Sequence, residues 1–375
     1  MSIYLDGAAT TPVQQEVIDK IVFTIKDNWY NPSALYAPSV EISAEVEKAR
    51  KIIADSIKAE KSKEIYFTSG GSEANSWAIQ GFVKKYPHSN IIISPLEHKS
   101  ITECCKNVCR NLYVMRLNEK QTVDLEYLEH LLKDYCDNAP TLISCQMVNN
   151  EVGIVQPIAD IAKLARRYHA YLHVDAVQAY PYIPINVKDL DIDMMSVSGH
   201  KIGTPKGIGF LYIDDKLHIK PIIYGTQERG IRGGTENVPY IMGLAEAVNK
   251  HIYYGNTTGL HHFKERLKCI GCRINCDYSR SDNIEVIPNI ISCTLPEGCS
   301  AEAVVNLLGV EGIYASTGSA CNTLSGEPSY VLRNIGLSDD EIYRTMRFSC
   351  TDISIDNAEI VIEKMKRIFE YIKTK

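Results

Sequence analysis

Lys201 closes the run Ser198-Gly199-His200-Lys201, directly after the short apolar stretch Met194–Val197. Four other apolar stretches also end in polar clusters. Ile65–Thr68 leads into Ser69-Gly70-Gly71-Ser72-Glu73, and Asn90–Ser94 into Pro95-Leu96-Glu97-His98-Lys99. Thr141–Met147 leads into Val148-Asn149-Asn150-Glu151, and Tyr171–Val174 into Asp175-Ala176-Val177-Gln178. A glycine-rich turn opening a helix offers backbone N–H groups, a hydroxyl and the helix dipole to an anion. Packing alone also puts glycines in such turns, and a single His or Lys after a strand is commonly structural. Five such clusters in succession are less ordinary, because ligands of open α/β sheets gather beyond the carboxyl ends of the strands.

Taken together, Gly71, Ser72, Ser198 and His200 form a candidate phosphate cradle, and His98 a candidate stacking imidazole. Asp175 supplies a carboxylate and Lys201 an amine. That inventory fits pyridoxal 5'-phosphate: the amine bonds to the aldehyde, and the carboxylate keeps the pyridine nitrogen protonated so that the ring accepts electrons. A nicotinamide cofactor fits less well, because no G-x-G-x-x-G opens a helix after an early strand, and G-x-x-x-x-G-K-[ST] is absent.

The elements that must position these residues alternate. Seven strands are expected at Ile65–Thr68, Asn90–Ser94, Leu112–Arg116, Thr141–Met147, Tyr171–Val174, Met194–Val197 and Gly209–Ile213. Between them lie amphipathic stretches such as Glu73–Lys85, Leu125–Tyr135 and Ile158–Tyr168. Such alternation implies βαβ crossovers and an α/β fold with a mainly parallel sheet between helices. Beyond Ile213 comes a polar, glycine-rich loop, Tyr224 to Thr235, and then a helical stretch, Pro239–Tyr254. From about Thr258 the chain reads as a smaller α+β unit, with strands around Arg273–Cys276 and Asn289–Thr294 and helix Ala301–Leu308. A large cofactor-binding domain over 13–257 is therefore expected, with 1–12 and 258–375 forming a small domain.

Twelve cysteines are spread along the chain. Cys104, Cys105, Cys109, Cys136 and Cys145 fall in helix-like or strand-like stretches, and nothing in the sequence suggests a disulfide framework. Cys269, Cys272 and Cys276 could ligate a metal, but no second pair or His cluster lies near, and Cys272, Ile274 and Cys276 alternate as one face of a strand. Structural thiols and no metal are expected. Cys321 sits in a loop of small residues, Ser316 to Ser329, as a nucleophile or sulfur carrier would.

The 375 residues carry 40 Lys+Arg against 46 Asp+Glu, a formal charge of −6, which argues against nucleic acid as a direct partner. No stretch approaches a membrane span, and Met1–Asp6 lacks the basic and apolar regions of a signal peptide. A cytoplasmic protein with no membrane contact is expected.

Nearly the whole chain resembles the cysteine desulfurases, pyridoxal-phosphate enzymes of aminotransferase class V, and in particular their long-loop branch. The resemblance rests on Tyr4-Leu-Asp-Gly-Ala-Ala-Thr-Thr-Pro12, Asn31-Pro-Ser33, Thr68-Ser-Gly-Gly-Ser-Glu73, Glu97-His98, Asn149-Asn-Glu-Val-Gly153, His173-Val-Asp-Ala-Val-Gln178 and Ser198-Gly-His-Lys201. It continues through Arg229-Gly-Ile-Arg-Gly-Gly-Thr235, Gly318-Ser-Ala-Cys321 and Glu327-Pro-Ser-Tyr-Val-Leu332.

The resemblance implies a fold-type-I large domain and a homodimer. It makes Lys201 the cofactor-binding lysine, Asp175 the partner of the pyridine nitrogen and His98 the ring-stacking residue. Asn150 and Gln178 would bond the 3'-oxygen, and Gly71, Ser72, Ser198 and His200 the phosphate, with Thr235 added by the other subunit. Asn31 and Arg347 would bind the substrate carboxylate, guanidinium being suited to a bidentate grip. Cys321 would take sulfur from L-cysteine as a persulfide, leaving L-alanine, and pass it to an iron–sulfur scaffold or a tRNA-thiolation enzyme. Selenocysteine or cysteine sulfinate is the alternative substrate, and a catalytically idle scaffold or a metal sensor built on Cys269, Cys272 and Cys276 are the non-enzymatic alternatives.

Overall fold

The computed structural model describes residues 2–136, 139–250, 257–277, 286–318 and 328–374. In chain order the elements begin β1 (Ile3–Tyr4), α1 (Gln15–Asp27), α2 (Ala37–Ser56), β2 (Ile65–Thr68), α3 (Gly71–Lys85), β3 (Asn90–Ile93), α4 (Lys99–Val108) and β4 (Asn111–Val114). There follow α5 (Leu125–Tyr135), β5 (Thr141–Gln146), α6 (Ile158–Arg167), β6 (Tyr171–Asp175), β7 (Met194–Ser198), β8 (Gly209–Ile213) and α7 (Val238–Lys250). The remainder is α8 (Thr258–Cys269), β9 (Arg273–Ile274), β10 (Ile290–Thr294), α9 (Ala301–Val310), β11 (Ile313–Tyr314) and β12 (Ser316–Thr317). It closes with α10 (Tyr330–Asn334), α11 (Asp339–Tyr343), β13 (Thr345–Ser349) and α12 (Ile355–Lys373).

Seven strands form the large sheet in the order β2-β8-β7-β6-β5-β3-β4. β3, β4, β5, β6 and β7 pair in parallel, while β8 runs antiparallel to both β2 and β7. β3, β5, β7 and β8 are buried along their whole length, as β-branched and aliphatic runs covered on both faces require. One core cluster lies between the sheet and α1, α2, α5, α6 and α7, and another packs α3 and α4 on the opposite face through Trp77, Ile79, Phe82 and Ile101. Local signals set the element ends. Asp124 caps α5 by accepting from the Glu126 and Tyr127 amides, each at 3.0 Å. Gly70, at φ 151°, makes the sharp entry into α3.

A second core joins Leu5 to residues from α8 through α12, around the antiparallel sheet β12-β13-β10-β9. The N-terminal segment belongs to it: β1 pairs in parallel with β11, and Asp6 bridges to Ser349. From there the chain crosses to the large sheet, where the Thr11 amide donates to the His200 carbonyl at 3.0 Å. A smaller cluster of Leu96, Val152, Ile154, Val331, Leu332, Ile335 and Ile342 packs α10 and α11 against the loops that follow β3 and β5.

The expected strands appear with ends displaced by a residue or two. Ser94 and Met147 fall outside their strands, β4 covers Asn111–Val114 rather than Leu112–Arg116, and Asp175 and Ser198 fall inside β6 and β7. The helix expected at Pro239–Tyr254 runs over Val238–Lys250, with residues 251–256 outside the described set. One expectation fails. Cys272, Ile274 and Cys276 do not share a strand face, because β9 stops at Ile274 and Cys276 takes a left-handed conformation, φ 57°. Cys272 and Ile274 enter the second core, whereas Cys276 packs with the α10 cluster.

Candidate functional site

The carboxyl ends of β2, β3, β5, β6 and β7 converge on a cavity of about 350 Å³. Gly71, Ser72, His98, Asn150, Asp175, Gln178, Ser198, His200, Lys201 and Arg347 all line it. Ten of the thirteen residues singled out in the sequence thus share one space. Asn31 is exposed outside it, its side-chain oxygen accepting from the Ser33 amide at 2.9 Å. Thr235 is exposed at the end of the glycine-rich loop. Cys321 lies outside the described residues.

At one end of the cavity the first turn of α3 lines it with Gly71 and Ser72. The approach here is close: a Cβ on Gly71 would stand 2.8 Å from Val177 Cγ2. A Cβ on Gly209, at the start of antiparallel β8, would meet the Val197 carbonyl at 2.5 Å and Gly70 Cα at 2.8 Å. His200 completes this end, its Nδ1 3.2 Å from Thr10 Oγ1. Burial, helped by Lys201 and Lys206, lowers His200 to about 4, so the ring is neutral.

Asp175 is buried, with Oδ1 accepting from the Val177 amide at 2.9 Å and Oδ2 from Asn75 Nδ2 at 2.7 Å. Desolvation raises its pKa, and only these hydrogen bonds, His98 and Lys201 oppose that rise. A buried carboxylate in that state is stabilised by a cation placed against it. His98 caps α4, its Nδ1 accepting from the Ser100 amide at 3.1 Å. Burial lowers its pKa, with Lys201 and Lys99 adding to the effect against Asp175. Behind it lies Glu97, fully buried, with Oε1 accepting from the Gln146 amide at 2.6 Å. Burial and the nearby Asp175 push this carboxyl well above the usual range, against the opposing hydrogen bond from the Gln146 amide.

The Lys201 amine reaches across to the N-terminal segment, donating to the Ala8 carbonyl and, at 2.6 Å, to the Ala9 carbonyl. Gln178 Nε2 donates to the same Ala8 oxygen at 2.9 Å. Arg347, on β13, donates from Nη2 to Asp6 at 2.7 Å and from Nη1 to the Asn150 carbonyl at 3.1 Å. Its Nε is buried without a partner among the described residues. The polar inventory therefore suits a ligand with an anionic group at the α3 end, a protonatable ring nitrogen at Asp175 and an aldehyde within reach of Lys201.

Sequence reasoning missed Ala8, Ala9, Asn75, Ser100 and Gln146 as lining residues. Gln146 carried a usable signal, a polar side chain closing a buried strand run. Asn75 lies one helical turn beyond Gly71 and so faces the same way. Every cysteine among the described residues is unbridged, and no His/Cys/Asp/Glu grouping able to hold a metal occurs among them.

Residues 3–361 match the aminotransferase class-V family. A cysteine desulfurase IscS of Methanosarcina thermophila is 35% identical over 382 residues, covering 99% of this chain and 93% of that protein. A solved NifS-like protein has a TM-score of 0.88 at 28% identity, covering 99% of this chain and 100% of the other. A structure described as SspA in complex with cysteine has a TM-score of 0.82 at 33% identity, over 93% of this chain and 99% of that one.

Proposed function

The chain belongs to the aminotransferase class-V family, and from that premise we propose that it is a pyridoxal-phosphate-dependent cysteine desulfurase, converting L-cysteine to L-alanine and passing the sulfur to Cys321. The observation that carries this reading is the shared cavity: Lys201, Asp175, His98 and the Gly71–Ser72 turn line one space at the strand ends. Gly71, Ser72, Ser198 and His200 hold the phosphate, Asp175 the ring nitrogen, Asn150 and Gln178 the 3'-oxygen, and His98 stacks on the ring. Bound there, the cofactor supplies an electron sink for charge left on the substrate's Cα.

The chain's own residues do the rest. Arg347, with Nε unsatisfied and its plane fixed by Asp6 and Asn150, receives the substrate carboxylate, and Asn31 assists. The Lys201 amine would be the base that removes the substrate's Cα proton. The Cys321 thiolate attacks the substrate sulfur. An S–S bond forms as Cβ–S breaks, the electron pair stays with the three-carbon fragment, and protonation releases that fragment as alanine. Because His98 Nδ1 accepts from the Ser100 amide, the neutral ring carries its proton on Nε2 and is suited to protonate the released fragment.

The protein acts as a homodimer in which Thr235, exposed on each subunit, reaches the other subunit's phosphate. The acceptor is an iron–sulfur scaffold or a tRNA-thiolation enzyme, and the location cytoplasmic. Among the described residues, no helix is long and apolar enough to cross a membrane. Mass spectrometry after incubation with L-cysteine tests the central claim. A gain of about 32 Da per sulfur on Cys321, absent in Cys321→Ala and accompanied by alanine, supports it. Bound cofactor with neither product moves the substrate to selenocysteine or cysteine sulfinate.

A further inference from the structure

The residues directly after the cysteine-bearing segment dock onto the two loops that present His98 and Asn150. Ser329 Oγ donates to Glu151 Oε2 at 2.6 Å, and the Tyr330 hydroxyl donates to the Glu97 carbonyl. Asn334 Nδ2 donates to the Pro95 carbonyl at 2.8 Å. Beneath these bonds, Val331, Leu332 and Ile335 pack on Leu96, Val152 and Ile154. Two of the three polar acceptors are backbone carbonyls that any residue would supply. Glu151 alone contributes a side chain.

Ser329 is itself buried and fixes the start of α10, its hydroxyl accepting from the Leu332 amide at 3.1 Å as the helix cap. Glu151 is next in sequence to Asn150, whose carbonyl Arg347 holds, so one short turn joins the cavity to this docking point. Seven residues lie between Cys321 and Ser329 in the sequence.

We propose that Glu151 is a positioning residue for sulfur transfer: it anchors Ser329, which only seven residues separate from the acceptor cysteine in sequence, beside the turn that carries Asn150. The proposal rests on the reading of Cys321 as sulfur acceptor. The charged groups facing Glu151 are Arg347 from β13 and Lys99 from α4, both favouring its ionised form, while burial raises its pKa to about 7. The hydrogen bond from Ser329 is stronger to the carboxylate than to the carboxylic acid.

The test uses cofactor-loaded protein in single turnovers with L-cysteine, following the cofactor spectrum and Cys321 persulfide in the same sample. Glu151→Ala is expected to slow persulfide formation about tenfold and leave the spectral change at its wild-type rate. Glu151→Gln keeps an acceptor without charge and costs less. Its deficit grows as pH rises from 6 to 8, because only the wild-type side chain gains charge over that range. Hydrogen exchange, read without turnover, should show faster exchange of the Leu332 and Arg333 amides in Glu151→Ala, and Ser329→Ala should reproduce both effects. Equal slowing of both kinetic steps, or unchanged persulfide formation and exchange, overturns the proposal alone. Alanine formed by wild type with Cys321 unmodified overturns the reading of Cys321 and the proposal with it.

Discussion

Arg347 and Asp6 are paired at 2.7 Å across 341 positions of sequence, with the guanidinium almost wholly buried. The pair brings β13 and the N-terminal segment together at the rim of the cavity. In the proposed reaction, a substrate carboxylate at Arg347 would meet a guanidinium already oriented but shared with another anion. Arg347→Lys cannot reproduce the planar fork, and steady-state kinetics should show KM for L-cysteine raised about tenfold or more. Asp6→Asn removes the competing charge and should lower KM severalfold. A rise in KM in that variant would show Asp6 to be needed chiefly as an orienting group.

Lys201 is the general base of the proposed reaction. Lys201→Ala should lower alanine formation by roughly 10²–10⁴-fold. Asp175→Asn should bind the cofactor yet lose most of its turnover, because an amide cannot stabilise a protonated ring nitrogen. Visible absorbance together with alanine release separates loss of cofactor from loss of chemistry.

Glu151 gives stability an unusual pH dependence. Its native pKa of about 7 exceeds the ordinary carboxyl value of 4.5, so between those values the folded chain holds a proton that the unfolded chain has released. Its contribution to stability therefore falls as pH rises from about 4.5 to 7 and is flat above. Glu151→Gln should raise stability by about 1–3 kcal/mol at pH 8 and change it little at pH 4.5. Denaturant titrations at the two pH values check this, and equal effects at both would refute it.

Arg50 and Glu228 form a bidentate pair at 2.8 and 3.0 Å, with both side chains nearly inaccessible. Arg50 also lies over the Phe67 ring, and Glu228 and Arg229 both adopt positive φ, 45° and 59°. The pair thus holds a strained turn seven residues before Thr235. Glu228→Ala removes the buried partner of Arg50 and leaves it Glu47 and the Ile65 carbonyl, and should cost about 1–3 kcal/mol in chemical denaturation. If Thr235 serves the other subunit, the variant also loses cofactor affinity.

Strands were legible because they are short apolar runs, and their ends because polar clusters come directly after them. The residues identified this way, from Gly71 to Lys201, sit where the parallel sheet delivers them. Helices α1 and α2 were not legible in the same way. In α1 the exposed Ile18, Val22 and Ile25 adjoin buried Val17 and Ile21 in one broad apolar stripe, wider than the core face it covers, and no polar cluster marks its end as it does for the strands. Ala8 and Ala9 could not be found by any local pattern, since backbone carbonyls leave no trace in residue type. Arg347 came only from resemblance. Within its own segment it is a basic residue in a strand, and its meaning depends on Asp6 and Asn150.

The first strand of the chain, Ile3–Tyr4, pairs with Ile313–Tyr314, and Asp6 bridges to Ser349. During synthesis the N-terminal segment therefore emerges long before its partners exist. The large sheet can be complete while Ala8 and Ala9 still lack the strands that place them over Lys201. In the proposed reading, cofactor capture and substrate recognition would then be late events in biogenesis, since the strands that hold Ala8 and Ala9 lie near the end of the chain. A nascent chain stalled midway through translation would hold the reactive lysine in a half-built pocket with no means of selecting an amino acid.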